Sequence, residues 1–105
     1  MQTTNIFNNI PAQLNQEHFQ DIISKDGIKI QRIVSQGTST QDDKWYNQEN
    51  DEWVIILQGR AILSFEDDSD IKLSSGDYIH IPAHKKHKVS WTSSHEQTVW
   101  LAVHY

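Results

Sequence analysis

The chain has 105 residues, which is enough for one domain with a core and too little for two. Its formal net charge of -5 at pH 7 argues against nucleic acid or an anionic membrane as its main partner, because either would need a basic surface. It has no cysteine, which excludes disulfides and thiol chemistry and is compatible with a reducing compartment. The start "MQTTNIFNNIPAQL" shows no signal-peptide pattern, and no apolar run approaches the roughly 20 residues that span a bilayer. We therefore expect a cytoplasmic, single-domain protein.

The first predicted element is a short helix near the N-terminus. In "LNQEHFQDIIS" the apolar residues have spacings near those of one helix face; they are Leu14, Phe19, Ile22 and Ile23. Asn15 is a candidate N-cap, and Gly27 would end the helix. The pattern predicts an N-terminal arm with a short helix over residues 1–27.

From residue 28 onward the sequence pattern is that of short strands. Apolar residues alternate or run together in segments separated by turn-forming residues; the segments are "IKIQRIVS", "EWVIILQG", "RAILSFED", "DIKL", "DYIHIP", "HKVSW" and "TVWLAVHY". No internal repeat and no crossover helix interrupts them. Seven or eight short strands in close succession predict an all-β barrel or sandwich over residues 28–105.

Two polar residues fall on strand faces that are otherwise apolar. Glu52 shares a face with Val54 and Ile56, and His87 shares a face with Val89. If these faces point inward, a carboxylate and an imidazole lie at the mouth of an apolar cavity. A buried carboxylate needs a cation, a metal or hydrogen bonds, so these two residues are the first candidates for a site.

Four further residues can reach the same space. Tyr46 and Gln48 lie on the alternation that leads to Glu52, and His84 lies three residues before His87 in a loop that begins with proline. Arg32 shares a strand face with three aliphatic residues, so it is a candidate partner for a carboxylate or for an anionic group of a substrate. The remaining histidines are assigned no role; they are His18, His80, His95 and His104.

Each candidate also has an ordinary structural interpretation. His87 could be a strand histidine bonded to a backbone carbonyl, and Glu52 could be one acid of a solvated run. His84 could hold its loop by hydrogen bonding, and Arg32 could be exposed at a strand end. The alternation alone does not decide between these interpretations and a site.

The same residues carry a resemblance to a known family. "EWVIILQG" fits the pattern E-x6-G, and "GDYIHIPAHKKH" fits G-x5-P-x-G-x2-H with His84 in place of the second glycine. The chain resembles the small single-domain bacterial cupins (the cupin-2-type conserved β-barrel family) that carry W-Y-x-Q before the glutamate and P-A-H-x-x-H after it. The resemblance covers roughly residues 28–105. It implies a jelly-roll β-barrel, frequently a homodimer, often with one divalent metal inside.

One departure from the family pattern bears on the metal. Metal-binding cupins usually supply H-x-H three or four residues before the glutamate, whereas this chain has Tyr46 and Gln48 at the three-residue spacing. The resemblance therefore leaves Glu52 and His87 as metal ligands, with Gln48 or His84 completing the set. Such oxygen and imidazole ligands suit iron, manganese, nickel or zinc. Tyr46 and Arg32 would then orient the bound molecule.

Three functions remain open from the sequence. The first is a metal-dependent cupin that acts on a small polar molecule by dioxygenase, isomerase or lyase chemistry. The second is a metal-free cupin that binds or senses a small ligand without catalysis, which the missing H-x-H favours. The third is a barrel that serves mainly as a dimerising scaffold. Whether the protein is an enzyme is therefore undecided at this point.

Overall fold

A computed structural model describes residues 1–40 and 44–105 and shows an all-β chain. It contains eight strands in chain order: β1 His18–Lys25, β2 Ile28–Ser35, β3 Glu52–Gln58, β4 Arg60–Phe65, β5 Ile71–Ser74, β6 Tyr78–Ile81, β7 His87–Thr92 and β8 Thr98–His104. The described residues form no helix, so they include none that is long and apolar enough to cross a membrane. The all-β prediction is confirmed.

The strands form two antiparallel sheets rather than one closed barrel. The larger sheet has the order β1-β2-β8-β3-β6 and the smaller one has the order β5-β4-β7. Their inner faces pack together through a shared apolar core, whose buried members are Val54, Ile56, Ala61, Leu63, Phe65, Leu73, Ile81, Val89, Trp100 and Ala102. Period-two alternation explains this core, because every second residue of β3 and β8 points between the sheets.

The predicted N-terminal helix is wrong. The segment forms β1, which pairs with β2 from His18 opposite Val34 to Lys25 opposite Ile28. The two residues between these strands, Asp26 and Gly27, both have positive φ, as a tight two-residue hairpin turn requires. Asp-Gly is a strong hairpin signal, and it outweighs the helical spacing of the apolar residues. The boundary between an N-terminal arm and a barrel domain at residue 27 stays a prediction. Strands β1 and β2 lie on either side of this boundary and pair with each other.

Strand β1 leaves its apolar side chains half-exposed. It forms the edge of the larger sheet, and its exposed apolar residues are Phe19, Ile22 and Ile23. Edge strands with apolar side chains are suited to pairing with another chain. The predicted homodimer stays a prediction.

The segment before β1 is held against the outer face of the larger sheet by Arg32. This arginine is 3% exposed, and its guanidinium donates to the backbone carbonyls of Ile6, Asn8 and Asn9. Farther along, the Gln97 side chain donates to the carbonyl of Pro11. Carbonyl oxygens replace the water lost by the two terminal nitrogens of the buried guanidinium, whereas Nε has no hydrogen-bond partner among the described residues.

The turn from β3 to β4 leads to a stability prediction at Gly59. Its φ is +96°, and a Cβ at this position would lie 2.6 Å from the Cα of Thr98. We expect Gly59→Ala to lower the free energy of unfolding by about 3 kcal/mol, because it combines a left-handed backbone with a clash against main chain. Urea unfolding followed by tryptophan fluorescence measures the change.

Gly76→Ala is the matched control for this experiment. Gly76 has a similar φ of +92°, but an added Cβ would meet no atom within 4 Å. It should lower the free energy of unfolding by only about 1–2 kcal/mol, which is the cost of placing a non-glycine residue in the left-handed backbone conformation. Equal losses in the two variants would contradict the role assigned to the contact with Thr98.

Candidate functional site

A cavity of about 660 Å³ opens between the two sheets, bordered on one side by the turn between β1 and β2. Its walls are mostly apolar; they include Phe19, Ile33, Val54, Leu63, Ile81, Val89 and Trp100. Polar side chains gather in one part of it, namely Tyr46, Gln48, Glu52, His87, His104 and Gln31. An apolar cavity of this size with a few convergent polar groups is typical of small-molecule sites.

Glu52 is the centre of the polar part. It begins β3 and is 6% exposed. One carboxylate oxygen, Oε1, lies 3.3 Å from Nε2 of His87, which begins β7 in the other sheet. The second oxygen, Oε2, lies 3.8 Å from Nε2 of His104, directly opposite Glu52 on β8. A single carboxylate therefore contacts imidazoles from both sheets.

His87 is oriented by the loop that precedes it. Its Nδ1 lies 2.9 Å from the carbonyl oxygen of Lys85 and donates to it, so Nε2 faces Glu52. Burial alone would lower the pKa of His87, but the Glu52 carboxylate and the Lys85 carbonyl outweigh burial and raise it. The ion pair is not aligned as a hydrogen bond, and Oε1 of Glu52 has no hydrogen-bond donor among the described residues.

His104 lies between two glutamine side chains. Its Nδ1 is 3.1 Å from Oε1 of Gln48, and its Nε2 is 3.2 Å from Oε1 of Gln31. Burial lowers the pKa of His104. Glu52 thus contacts two imidazoles with opposite shifts: the pKa of His87 is raised and the pKa of His104 is lowered.

A second carboxyl group lines the same cavity. Burial raises the pKa of Glu17, although a hydrogen bond from the buried Ser35 opposes the rise. Burial is the main cause that raises the pKa of the Tyr46 hydroxyl, and the nearby charges of Glu17 and Glu52 raise it further. Its ring centroid lies 5.7 Å from that of His87. Glu17 and Glu52 are therefore two carboxyl groups of the cavity that lie in different environments.

The structure brings four of the six sequence-predicted site residues together. Glu52, His87, Gln48 and Tyr46 all line the cavity. His84 does not line it; its φ is +66°, and its ring lies 3.2 Å from the Asn47 side chain. Its backbone N–H donates to the carbonyl of Gln48, so it contributes to the site through the main chain.

Arg32 lies on the opposite face of β2 from the cavity. It is buried rather than exposed at a strand end, but its side chain contacts the N-terminal segment rather than a ligand site. His80, which the sequence assigns no role, pairs with Asp51 at 3.2 Å with about half of its side chain exposed.

Three residues of the site are missed by the sequence analysis: His104, Gln31 and Glu17. A signal for His104 exists, because Trp100 and His104 are separated by an even number of positions and therefore share one face of β8. Gln31 shares a face with Ile33 in the same way. Glu17 precedes β1, and no periodicity marks it.

The donor set fits a divalent metal only in part. Glu52 offers an oxygen without a donor, and His87 donates its Nδ1–H to a carbonyl, as metal-ligating histidines do. However, the His, Asp and Glu side chains of residues 1–40 and 44–105 include no group of three that could hold a metal ion. A third protein ligand would have to be the amide oxygen of Gln48.

Comparison with known families and structures gives a consistent result for the fold. The family model described as "Cupin domain" matches residues 32–104. A protein of Ralstonia eutropha JMP134, provisionally named a mannose-6-phosphate isomerase, is 39% identical, with a TM-score of 0.94 over 99% of this chain and 97% of that chain. Comparison with the curated proteins finds no match.

Two further solved structures resemble the chain. A cupin superfamily protein of Desulfitobacterium hafniense DCB-2 is 27% identical, with a TM-score of 0.75 over 90% of this chain and 82% of that chain. A protein of Thermus thermophilus is 15% identical, with a TM-score of 0.80 over 99% of this chain and 96% of that chain. The Thermus similarity supports the fold alone.

The Glu52–His87 pair leads to a pH prediction. In an NMR titration we expect His87 to have a higher pKa than His104, and Glu52→Gln to lower the pKa of His87. Because folding raises the pKa of His87, the stabilisation from its proton is fully present below the unfolded pKa of about 6.5 and is lost as pH rises through the folded pKa. Asp51→Asn is the control, because Asp51 pairs with His80 instead. A pKa of His87 below that of His104 would contradict the assignment.

Proposed function

Because the chain belongs to the Cupin domain family, whose fold hosts many unrelated chemistries, we propose its function from the cavity: the protein binds a small polar organic molecule there. The observation that supports this most is the buried Glu52 carboxylate, which faces the cavity between two imidazoles with one oxygen lacking a donor. Because that oxygen is shielded from solvent, a hydroxyl or amino group of a ligand would reach and satisfy it as the Glu52 or His87 side chain shifts.

The shape and polarity of the cavity support the same class of ligand. Apolar walls favour burial of a carbon skeleton, while the polar side chains at one end fix its orientation. Lys25 and Lys29 border the cavity where it meets the turn between β1 and β2. A molecule with several hydroxyls and an anionic group would suit this arrangement, and the name of the Ralstonia eutropha relative, a sugar-phosphate isomerase, agrees with it.

A metal-dependent form of this function is a second proposal. The observation that favours it is the pairing of the donor-free Glu52 Oε1 with the Nε2 of an oriented His87. Glu52, His87 and the amide oxygen of Gln48 would hold one iron, manganese, nickel or zinc ion, which would polarise an oxygen of the bound molecule. The side chain of His84 would not contribute, because it lies against Asn47.

The binding proposal is tested with a panel of sugars and sugar phosphates. We expect at least one to bind the unmodified protein in ligand-observed NMR and calorimetry, and Glu52→Gln to weaken that binding by about 10-fold or more, since hydrogen bonds to charged groups contribute about 1.5–3 kcal/mol. His80→Gln is the control, because its imidazole lies outside the cavity. Equal weakening by His80→Gln would locate the ligand elsewhere.

The metal proposal is tested by elemental mass spectrometry of untagged protein after incubation with iron, manganese, nickel and zinc. We expect about one metal per chain, lost in Glu52→Ala and in His87→Ala and retained in His84→Ala. A polyhistidine tag must be absent, since it binds the same ions. Protein that takes up no metal but still binds a ligand would reject this second proposal and leave the first intact.

A further inference from the structure

We propose that the outer face of the smaller sheet binds a planar aromatic anion, whose ring stacks on Trp91 and whose anionic group lies between Arg60 and Lys72. The site is a groove of about 550 Å³ lined by residues of β4, β5 and β7 and by the turn before β5. It lies on the opposite side of the smaller sheet from the cavity between the sheets. The groove is therefore a second site, independent of the function proposed for that cavity.

A β-bulge in β7 turns Trp91 out of the core. Ile62 of β4 pairs with Trp91, but the next residue of β4 pairs with Val89, so Ser90 is an extra residue in β7. Val89 is buried in the core, and a regular strand would place Trp91 on the same inward face, because the two are two positions apart. With the bulge, Trp91 lies on the outer face and is 43% exposed.

The exposed ring of Trp91 is suited to covering by a flat ligand. An indole has a large apolar surface whose burial is favourable, so a fold that turns it to solvent gives up that gain. Bulges of this kind are enriched next to functional sites, where they re-aim a side chain. Ile62, half-buried beside Trp91, extends the apolar floor of the groove. An aromatic ring stacked here would recover the burial that the bulge gives up.

Two cationic side chains border this apolar floor. Lys72 of β5 lies directly opposite Ile62, on the other side of it from Trp91. Arg60 lies two residues before Ile62 on the same face of β4 and opposite Ser74, so it is a diagonal neighbour of Lys72. Long side chains at diagonal positions of adjacent strands come within reach of each other. A carboxylate or phosphate of the ligand would therefore be held by both cations, with its ring over Trp91.

The acids near the groove leave these cations available. Oε2 of Glu96 lies 3.9 Å from the guanidinium of Arg60, and the two side chains are 43% and 57% exposed, so this ion pair is weak. Asp70 lines the groove two residues before Lys72, which places it on the side of Lys72 away from Ser74 and Arg60. An anionic group between the two cations therefore lies away from Asp70 and competes only with the long contact of Glu96.

The hydroxyl groups of the groove favour an aromatic ligand over a sugar. The hydroxyl of Ser90 lies 3.3 Å from the carbonyl oxygen of Ile62 and donates to it. The hydroxyl of Ser74 lies 3.2 Å from Oδ2 of Asp77 and donates to that carboxylate. Both hydroxyl hydrogens are thus used within the protein, and a sugar would bury several hydroxyls against few partners, at a cost in affinity. A flat apolar ring with one anionic group matches what the groove offers.

The width of the groove favours a small molecule over a polypeptide. The row Lys72, Ile62 and Trp91 crosses three strands, which is about 10 Å at the usual spacing between strands. The middle strand, β4, is paired on both sides. It therefore offers no backbone groups to an extended peptide, which binds sheets by pairing with a free edge. One aromatic ring with an anionic substituent fits within this row.

The site is tested by ¹H–¹⁵N NMR of the full chain with three probes, each at tens of millimolar: benzoate, benzamide and cyclohexanecarboxylate. Benzoate has a flat ring and a charge, benzamide lacks the charge, and cyclohexanecarboxylate lacks the flat ring. We expect benzoate to shift the indole N–H resonance of Trp91 in a saturable way, and the other two probes to bind about 3-fold more weakly or less well still. The indole of Trp100, which lines the cavity, reports binding there separately.

Two surface variants test the roles of the groove residues. Trp91→Ala should weaken benzoate binding, followed at the backbone amides of β4 and β5, by about 10-fold or more, and Arg60→Gln should weaken it by about 3-fold. Tyr78→Ala is the matched control, because Tyr78 is an aromatic residue that is 66% exposed but lies in the larger sheet. It should leave benzoate binding unchanged.

Several results would overturn the site. They are no shift of Trp91 with benzoate, an affinity for benzamide or cyclohexanecarboxylate equal to that for benzoate, and benzoate binding that is unchanged in Trp91→Ala. A dimer in sedimentation velocity that Trp91→Ala dissociates would also overturn it, because a second copy would then cover the groove. None of these results bears on the cavity, where binding is followed at Trp100 and weakened by Glu52→Gln.

Discussion

The burial of one carboxylate is the constraint on which the site depends. Glu52 lies at the beginning of β3, almost without solvent, and a charge in that position must be compensated. The compensation comes from His87 of the smaller sheet, whose pKa is raised, while His104 of the larger sheet lies 3.8 Å from the other oxygen. The same contacts that make the carboxylate tolerable therefore join the two sheets beside the cavity. Residues that a ligand would meet are also residues that hold the fold together, so variants at Glu52 should be read for stability as well as binding.

The loop before β7 serves this arrangement through its backbone. Asp51 accepts from the N–H of Ala83 and from His80, and His84 donates its backbone N–H to Gln48. The carbonyl of Lys85 then orients the ring of His87. The closely spaced histidines thus have three different roles: His80 braces the loop from outside, His84 ties it to Gln48, and His87 enters the cavity. Their proximity in sequence does not make them one ligand set.

Period-two alternation predicts the strands from β2 onward. It also predicts that Glu52 and His87 lie on inward faces, because the two faces of a strand follow from sequence spacing alone. It could not tell which face of β2 meets the cavity, since both faces carry buried residues: Arg32 under the N-terminal segment and Gln31 toward His104. That choice depends on pairing with β8, which is a long-range property. The N-terminal helix was wrong for a local reason, since Asp26 and Gly27 favour a hairpin over helical spacing. His104 was predictable from Trp100 on the same face of β8.

Arg32 recognises the N-terminal segment by its main chain only. Its guanidinium bonds to carbonyl oxygens of Ile6, Asn8 and Asn9, which every amino acid offers equally. The side chains of the segment set its path separately: Asn5 accepts through Oδ1 from a backbone N–H two residues on, and Asn9 has a φ of +58°, a conformation in which asparagine is enriched. Loss of the Arg32 guanidinium would leave three carbonyl oxygens of the segment without their donor, whatever side chains the segment carries.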